Sequence, residues 1–165
     1  MHTVRRRIAT ALAASTLAIV GVTALSAAPA QAATCKTSAE KQFDTVGSNV
    51  WIKVQLCVEK VATNTHRAYA YVIWEGDDLH FGYRFEKFDL KLRLERNDAD
   101  MDVYTCHAAD AINNKATSSK WCGYATSYST ADGGWTADGS VTYNINNDGD
   151  GDQAPWSLPG TPKIS

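Results

Sequence analysis

Proline is scarce in this chain and is concentrated at one end. Of the four prolines among 165 residues, Pro155, Pro159 and Pro162 fall within the last eleven positions. Proline has no amide proton to donate to a β-ladder and is therefore rare inside sheets. The long segment between Pro29 and Pro155 is thus free to form strands.

The common short motifs of hydrolases are also missing. The sequence contains no Gly-x-Ser-x-Gly elbow and no His-Glu-x-x-His zinc motif. A triad of His107 with an Asp and a Ser could form in space, but no sequence pattern supports it. We therefore predict a non-catalytic protein, with a small secreted hydrolase as the alternative.

Only one long apolar run is present, and it lies at the N-terminus. Arg5–Arg7 precede the run Ile8–Leu25, and Ala30-Gln31-Ala32 follows as a small-x-small cleavage site. This order is typical of a secretory signal peptide, although a transmembrane anchor is the alternative. We predict that residues 1–32 are a cleaved signal peptide and that residues 33–165 form a single secreted, extracellular domain.

Basic residues are not in excess. The whole chain has a formal charge of −2. Removal of residues 1–32 takes away three arginines and no acidic residue, which leaves 13 basic and 18 acidic side chains and a charge of −5. A negative surface repels phosphates, so nucleic acid and anionic membranes are not expected partners.

No cysteine is expected to be free. The four cysteines, Cys35, Cys57, Cys106 and Cys122, follow the leader, and an even number in an exported chain indicates two disulfides. The pairs Cys35–Cys57 and Cys106–Cys122 are favoured because each brackets a polar, turn-forming segment and would close a hairpin-like loop. The other two pairings remain open. Each disulfide would stabilise the domain by about 3 kcal/mol.

Apolar and polar residues alternate along much of the mature chain. The alternation is clear in Val50–Glu59 and Thr65–Glu75, and a period of two is typical of half-buried strands. It continues through Phe81–Phe85 and then slips by one residue before Phe88–Glu95. Such a slip exchanges the two faces of a strand, so we predict a β-bulge or a bend near Glu86 and Lys87. A helix over residues 85–96 is the alternative.

The last third of the chain carries weaker strand patterns. Extended segments at Trp135–Ala137 and Ser140–Ile145 flank Asp138-Gly139, a pair that favours a two-residue hairpin turn. Six to eight short strands with polar turns indicate an all-β fold. We predict an antiparallel β-sandwich, with a small β-barrel as the alternative.

One acidic segment resembles a calcium loop. Alternating side chains at Asn146, Asp148, Asp150 and Asp152 could supply hard oxygen ligands. An EF-hand frame starting at Asn144 would place Pro155 where the bidentate Glu is needed. Asn, Asp and Gly are also the usual residues of solvated turns. A plain turn is favoured, with no cofactor, and weak Ca²⁺ binding is the alternative.

Aromatic residues are plentiful, with five tryptophans and seven tyrosines. Trp51 shares its predicted strand face with polar residues, and Tyr69 and Tyr71 share a face of the next strand. Exposed rings on a sheet can stack against sugars or anchor a protein. We predict a binding role for Trp51, Tyr69 and Tyr71, with a polysaccharide or an extracellular protein as the partner. An inert envelope protein is a further alternative.

Three segments carry a resemblance to a group of proteins. They are Trp51–Glu59, Trp135–Gly139 and Tyr143–Gly149, and the leader combines an arginine cluster with an alanine-rich run. Together they resemble small secreted actinomycete proteins of unassigned function. The resemblance implies export and implies no catalytic residues.

The leader prediction has a direct test. The secreted protein is expected to begin at Ala33, because cleavage follows the small residue of the Ala30-Gln31-Ala32 motif. Intact-mass measurement of protein from the culture medium checks this. A mass that still includes residues 8–25 would contradict it.

Overall fold

The computed structural model describes residues 32–77 and 83–165. These residues form nine strands and one short helix: β1 (Thr34–Thr37), β2 (Lys41–Thr45), β3 (Ser48–Ala62), β4 (Thr65–Gly76), β5 (Phe85–Arg96), β6 (Ala99–His107), α1 (Ala109–Asn113), β7 (Ser118–Tyr128), β8 (Trp135–Ile145) and β9 (Trp156–Ser157). Apart from Ala32, the predicted signal peptide lies outside the described residues. Within them, no helix is long and apolar enough to cross a membrane.

The strands form two antiparallel sheets. In the five-stranded sheet, β4 lies between β3 and β7, and β1 and β2 both pair with the other side of β3. The four-stranded sheet has the order β6-β5-β8-β9. Residues from both sheets share one buried cluster, so the predicted all-β antiparallel sandwich is confirmed.

One face of each sheet builds this core. On β3, β4 and β5 every second side chain is buried, as the alternation in the sequence predicts: Val50, Ile52, Val54, Leu56, Val58, Ala68, Ala70, Val72, Trp74, Leu90, Leu92 and Leu94. Burying one large aliphatic side chain contributes about 1.5–3 kcal/mol. Phe85 and Phe88 of β5 and His66 of β4 also lie in the core, and the side chains at the intermediate positions of β3 and β4 point outward.

The predicted slip of phase is also present. The pairing of β5 with β8 shifts register between Phe85 and Lys87, which confirms the bulge. β5 covers the whole range for which a helix was the alternative. The strand does not extend back as predicted, because Tyr83 and Arg84 precede it outside regular structure. Phe81 lies outside the described residues.

The predicted hairpin turn at Asp138-Gly139 is wrong, because β8 runs through both residues. Asp138 lies opposite Arg93 of β5, and its carboxylate is 3.2 Å from that guanidinium. A Cβ at Gly139 would lie 3.0 Å from the carbonyl oxygen of Lys91 and 3.4 Å from Leu158. An ion pair and a tight packing position explain these two residues, and neither requires a turn.

The helix α1 is not indicated by the sequence. Its last residue, Asn113, fixes the start of β5. The Asn113 side-chain oxygen accepts hydrogen bonds from the backbone amides of Arg84 at 2.8 Å and Phe85 at 3.0 Å. The side-chain amide donates to the Phe85 carbonyl at 2.8 Å. The short helix therefore positions Asn113, whose side chain holds Phe85, the first residue of β5.

Both disulfides are present, and they do different work. Cys35–Cys57 joins β1 to β3 within one sheet, at directly paired positions. Cys106–Cys122 joins β6 to β7 and therefore links the two sheets. The sequence predicted that this second bond would close a hairpin-like loop. It does not, because α1 lies between β6 and β7 and these two strands belong to different sheets.

The opposite edge of the sandwich is closed by a cation among aromatic rings. The Lys41 ammonium of β2 lies 5.2 Å, 4.7 Å and 5.6 Å from the ring centroids of Phe43, Tyr143 and Trp156. It also donates a hydrogen bond to the Tyr143 hydroxyl at 3.0 Å. Because Tyr143 and Trp156 belong to β8 and β9, Lys41 connects the two sheets.

A histidine is buried between the sheets. His66 of β4 is 2% exposed, and its ring stacks on Trp135 with centroids 4.2 Å apart. Among the residues that the structure describes, neither ring nitrogen has a hydrogen-bond partner. Burial lowers the pKa of His66, and the positive charges of Lys60 and Arg96 lower it further. The Ser165 backbone has the smallest effect, and it raises the pKa of His66.

Replacing the cation at the aromatic edge tests its role. Lys41→Met keeps a long apolar stem but removes the charge. We expect a loss of about 1 kcal/mol, the usual size of a partly desolvated cation–π contact. This corresponds to a decrease in Tm of roughly 3–5 °C for a domain of this size. Lys36→Met, which removes an exposed lysine of β1, is the control, and equal Tm values for the two variants would contradict the interpretation.

The buried histidine predicts a pH dependence of stability. Because its pKa is lowered in the folded state, the unfolded chain takes up the proton first as the pH falls below about 6.5. His66 therefore contributes stability above pH 6.5 that is lost as the pH falls toward its folded pKa. His66→Phe keeps a stacked ring and removes the titration.

The difference between the two proteins isolates this contribution. Tm measured across pH 7.5 to pH 5 is expected to fall more steeply for the native chain than for His66→Phe. Burial also raises the pKa of Glu95, which acts in the opposite direction but is present in both proteins. Parallel curves would show that His66 does not titrate as described.

Candidate functional site

The outward face of the five-stranded sheet carries a group of six aromatic side chains. We call it the aromatic face, and it consists of Trp51, Tyr69, Tyr71, Trp121, Tyr124 and Tyr128. Tyr71 lies directly opposite Trp121, and Tyr69 lies opposite Tyr124. The three residues predicted to bind a ligand all lie on this face, and β7 adds three more.

The sequence pattern does not predict that the aromatic residues of β7 lie on this face. Trp121 and Tyr124 are three residues apart, so a regular strand would place them on opposite faces. The pairing of β4 with β7 shifts register here, because Gly123 has no partner between Cys122 and Tyr124. This bulge brings both rings to the same side. Their spacing alone gives no such signal.

These rings are accessible to solvent and pack edge to face. Trp121 is 48% exposed, Tyr124 is 41% exposed and Tyr128 is 70% exposed. The Trp121 and Tyr124 centroids are 5.0 Å apart with planes at 73°. Tyr69 lies 6.1 Å from Tyr124 at 80° and 6.2 Å from Tyr71 at 86°. Burial also raises the pKa of the Tyr69 hydroxyl, which keeps it protonated.

A groove extends the aromatic face at its Trp51 end. Its volume is about 370 Å³. Trp51 and Ile73 supply apolar wall, and Lys53, Glu75, Ser119 and Glu40 supply polar groups. The Lys53 ammonium lies 2.8 Å from the Glu40 carboxylate, and this hydrogen bond raises the pKa of Lys53. The groove therefore combines a ring with fixed hydrogen-bonding groups.

A second ion pair flanks the aromatic face. The Arg67 guanidinium lies 4.2 Å from the Tyr124 ring centroid and covers one side of that ring. Its Nε donates to the Glu59 carboxylate at 2.5 Å. A cation over a ring is attracted by the negative ring face, so Arg67 holds Tyr124 in place.

The outward face of the four-stranded sheet is different in character. It carries mainly charged and polar residues, among them Lys87, Asp89, Lys91, Arg93, Asp138, Ser140 and Thr142. Arg93 lies close to three carboxylates, those of Glu95 at 2.9 Å, Asp138 at 3.2 Å and Asp100 at 3.7 Å. One guanidinium is thus shared among three carboxylates, and burial and the neighbouring Asp138 raise the pKa of Glu95.

His66 and His107 lie in different environments. His66 is a core residue, and His80 lies outside the described residues. His107 is exposed, and its Nδ1 lies 2.7 Å from Asp89. His107 and Asp89 line a surface groove of about 350 Å³, which Glu86 and Asp110 also border.

The acidic loop after β8 is organised by its own groups. The Asp150 amide donates to the Asp148 carboxylate at 3.0 Å, which is an Asx turn. Asp152 forms an ion pair with Lys87 at 2.5 Å. Asn147 has a φ of 59° and Gly149 one of 78°, as a tight turn requires. Among the residues that the structure describes, no three His, Cys, Asp or Glu side chains converge as metal ligands.

Comparison with known proteins gives no relative for this chain. No protein family model, curated protein or solved structure matches it. The resemblance to secreted actinomycete proteins therefore remains an expectation, and function has to be argued from the chain's own side chains.

The organisation of the acidic loop predicts little response to calcium. A site without a bidentate Glu would bind on the order of 10⁻⁴–10⁻³ M, and about 10 mM Ca²⁺ would then add roughly 1.4–2.7 kcal/mol. We expect a change in Tm of less than about 1 °C, because Lys87 and the loop's own amide already occupy two of its carboxylates. Thermal melts with calcium and with chelator measure this. A rise of several degrees that Asp148→Ala abolishes would contradict it.

Proposed function

We propose that this protein is a non-catalytic extracellular binding domain whose aromatic face binds a polysaccharide. The observation that carries the proposal is the directly opposed cross-strand pair Tyr71 and Trp121, of which Trp121 is 48% exposed, beside the exposed ring of Tyr124. Large rings exposed on a soluble domain are costly to hydrate, and a contiguous group of them is typical of a binding surface.

The compartment supports an extracellular ligand. The domain is a β-sandwich with two disulfides, which is consistent with an extracellular protein, because such bonds persist in oxidising surroundings. Polysaccharides are abundant at cell exteriors. The predicted leader on residues 1–32 agrees with this location.

The mixture of groups on the aromatic face favours a sugar over a protein partner. Sugar rings offer apolar C–H faces and a border of hydroxyls, so they need aromatic platforms next to polar groups. The groove beside Trp51 supplies these in Lys53, Glu75 and Ser119. A protein partner would instead need a larger apolar centre, because stable interfaces bury about 800 Å² on each side.

A hydrolase is the second candidate function, and His107 is the observation that favours it. Its pairing with Asp89 is the arrangement in which a carboxylate orients a histidine base. A hydrolase substrate panel tests it. Turnover that His107→Ala abolishes would establish the enzyme, and we expect none.

Ring removal tests the binding proposal. Trp121→Ala and Tyr71→Ala each remove one ring of the central pair. Each is expected to weaken binding about tenfold, which corresponds to about 1.4 kcal/mol. The measurement is affinity gel electrophoresis against soluble polysaccharides, namely hydroxyethylcellulose, glucomannan, laminarin, arabinogalactan and polygalacturonate, with a pull-down on insoluble cellulose and chitin.

The matched control lies on the other sheet. Val103→Ala shortens an exposed apolar residue of β6 whose outward neighbours are polar. This variant is expected to bind like the native chain. Absence of binding to every polysaccharide, or equal loss in Val103→Ala and Trp121→Ala, would refute the proposed function and leave a protein partner or an inert envelope role.

A further inference from the structure

We infer that the aromatic face takes a single, solvated chain of an uncharged polysaccharide that lies along the strands. This inference rests on the proposed function and specifies its ligand. It excludes two other classes of glycan, the flat surface of a crystalline polysaccharide and an anionic polymer.

The angles between the rings argue against a flat surface. A crystalline polysaccharide presents a plane, and rings that bind it must lie parallel to that plane together. Here Tyr69 is close to perpendicular to both Tyr71 and Tyr124, and Tyr124 is inclined by 73° to Trp121. When one ring of each pair lies flat against a plane, the other meets it edge on. A single chain, whose sugar units can rotate relative to one another, can meet rings of different orientation.

The length of the aromatic face argues for a chain of several sugar units. Tyr69 of β4 lies opposite Cys57 of β3, and Trp51 is six residues away from Cys57 along β3. At roughly 3.3 Å per residue, Trp51 and Tyr69 are about 20 Å apart along the strand direction. Tyr71 and Ile73 lie between them on β4. A disaccharide would cover only part of this surface.

The charges on this face argue for a neutral ligand. Among the described residues, its two cations are Lys53 and Arg67, and each is paired with a carboxylate, that of Glu40 or of Glu59. Glu75 adds a further acid beside Lys53. A uronate, sulfate or phosphate polymer would have to compete with these carboxylates for the same two cations, and it would be repelled by the acids beside them. The excess of acidic residues in the mature chain adds long-range repulsion.

The experiment compares ligands that differ in one property at a time. The native protein is titrated with hydroxyethylcellulose and glucomannan as neutral soluble chains, with polygalacturonate and heparin as anionic chains, and with microcrystalline cellulose and α-chitin as crystalline surfaces. We expect binding to at least one neutral soluble chain. Its affinity should be the same at low and high ionic strength, because no charge is shared with the ligand.

The length requirement has its own variant. Oligosaccharides of the bound polymer, from the disaccharide to the hexasaccharide, are compared by calorimetry. Affinity is expected to rise at least about tenfold over this series. Trp51→Ala should remove most of that rise and leave disaccharide binding unchanged, whereas Trp121→Ala should weaken both. The thermal melt of each variant checks that it is folded.

The outcomes separate the two levels of the proposal. Binding only to heparin or polygalacturonate, only to the crystalline surfaces, or with equal affinity for all lengths would overturn this inference while the proposed function stands. Absence of binding to every polysaccharide would overturn both.

Discussion

Each long strand of this protein has two faces, and burying one of them commits the other to solvent. On β3 and β4 the core takes every second side chain, so the residues between them must point outward whatever their chemistry. Trp51, Tyr69 and Tyr71 lie in those intermediate positions. The aromatic face is thus fixed in position by the hydrophobic core behind it. A shift of register by one residue would bury these rings and expose the valines.

A sandwich must also close its two long edges, and this one uses different chemistry at each. On one edge, Cys106–Cys122 is covalent, and a hydrogen bond of 2.6 Å from the Thr126 amide to Asp102 adds to it. On the other, Lys41 lies among aromatic rings of both sheets. The disulfide constrains the unfolded chain, whereas the cation acts only in the folded state. The two closures therefore stabilise the same interface through independent terms.

Sequence reasoning works here where one local rule decides and fails where two compete. Val50–Glu59 alternates without interruption, so its strand and its buried face could be predicted. Asp138-Gly139 satisfies a turn rule, but Arg93 provides a charge partner, and the Lys91 carbonyl oxygen lies only 3.0 Å from where a Cβ at Gly139 would be. Both reasons are tertiary and lie on other strands, so no pattern within β8 reveals them. The helix α1 could not be predicted for the same reason, because the hydrogen bonds of its Asn113 side chain are made with the start of β5.

The three aromatic residues of β7 could not be assigned to the aromatic face from the sequence, because their placement depends on the bulge at Gly123. Without Gly123 as an unpaired residue, Trp121 and Tyr124 would lie on opposite faces of β7. With it, both rings point outward while Cys122 points inward to its disulfide. A Cβ at position 123 would lie 2.5 Å from the end of the Tyr104 ring of β6, so a side chain there would displace that ring from the bulge. The unpaired residue thus lies between the disulfide that closes the sandwich and the rings of its candidate binding surface, and it is the bulge that directs each to its own side.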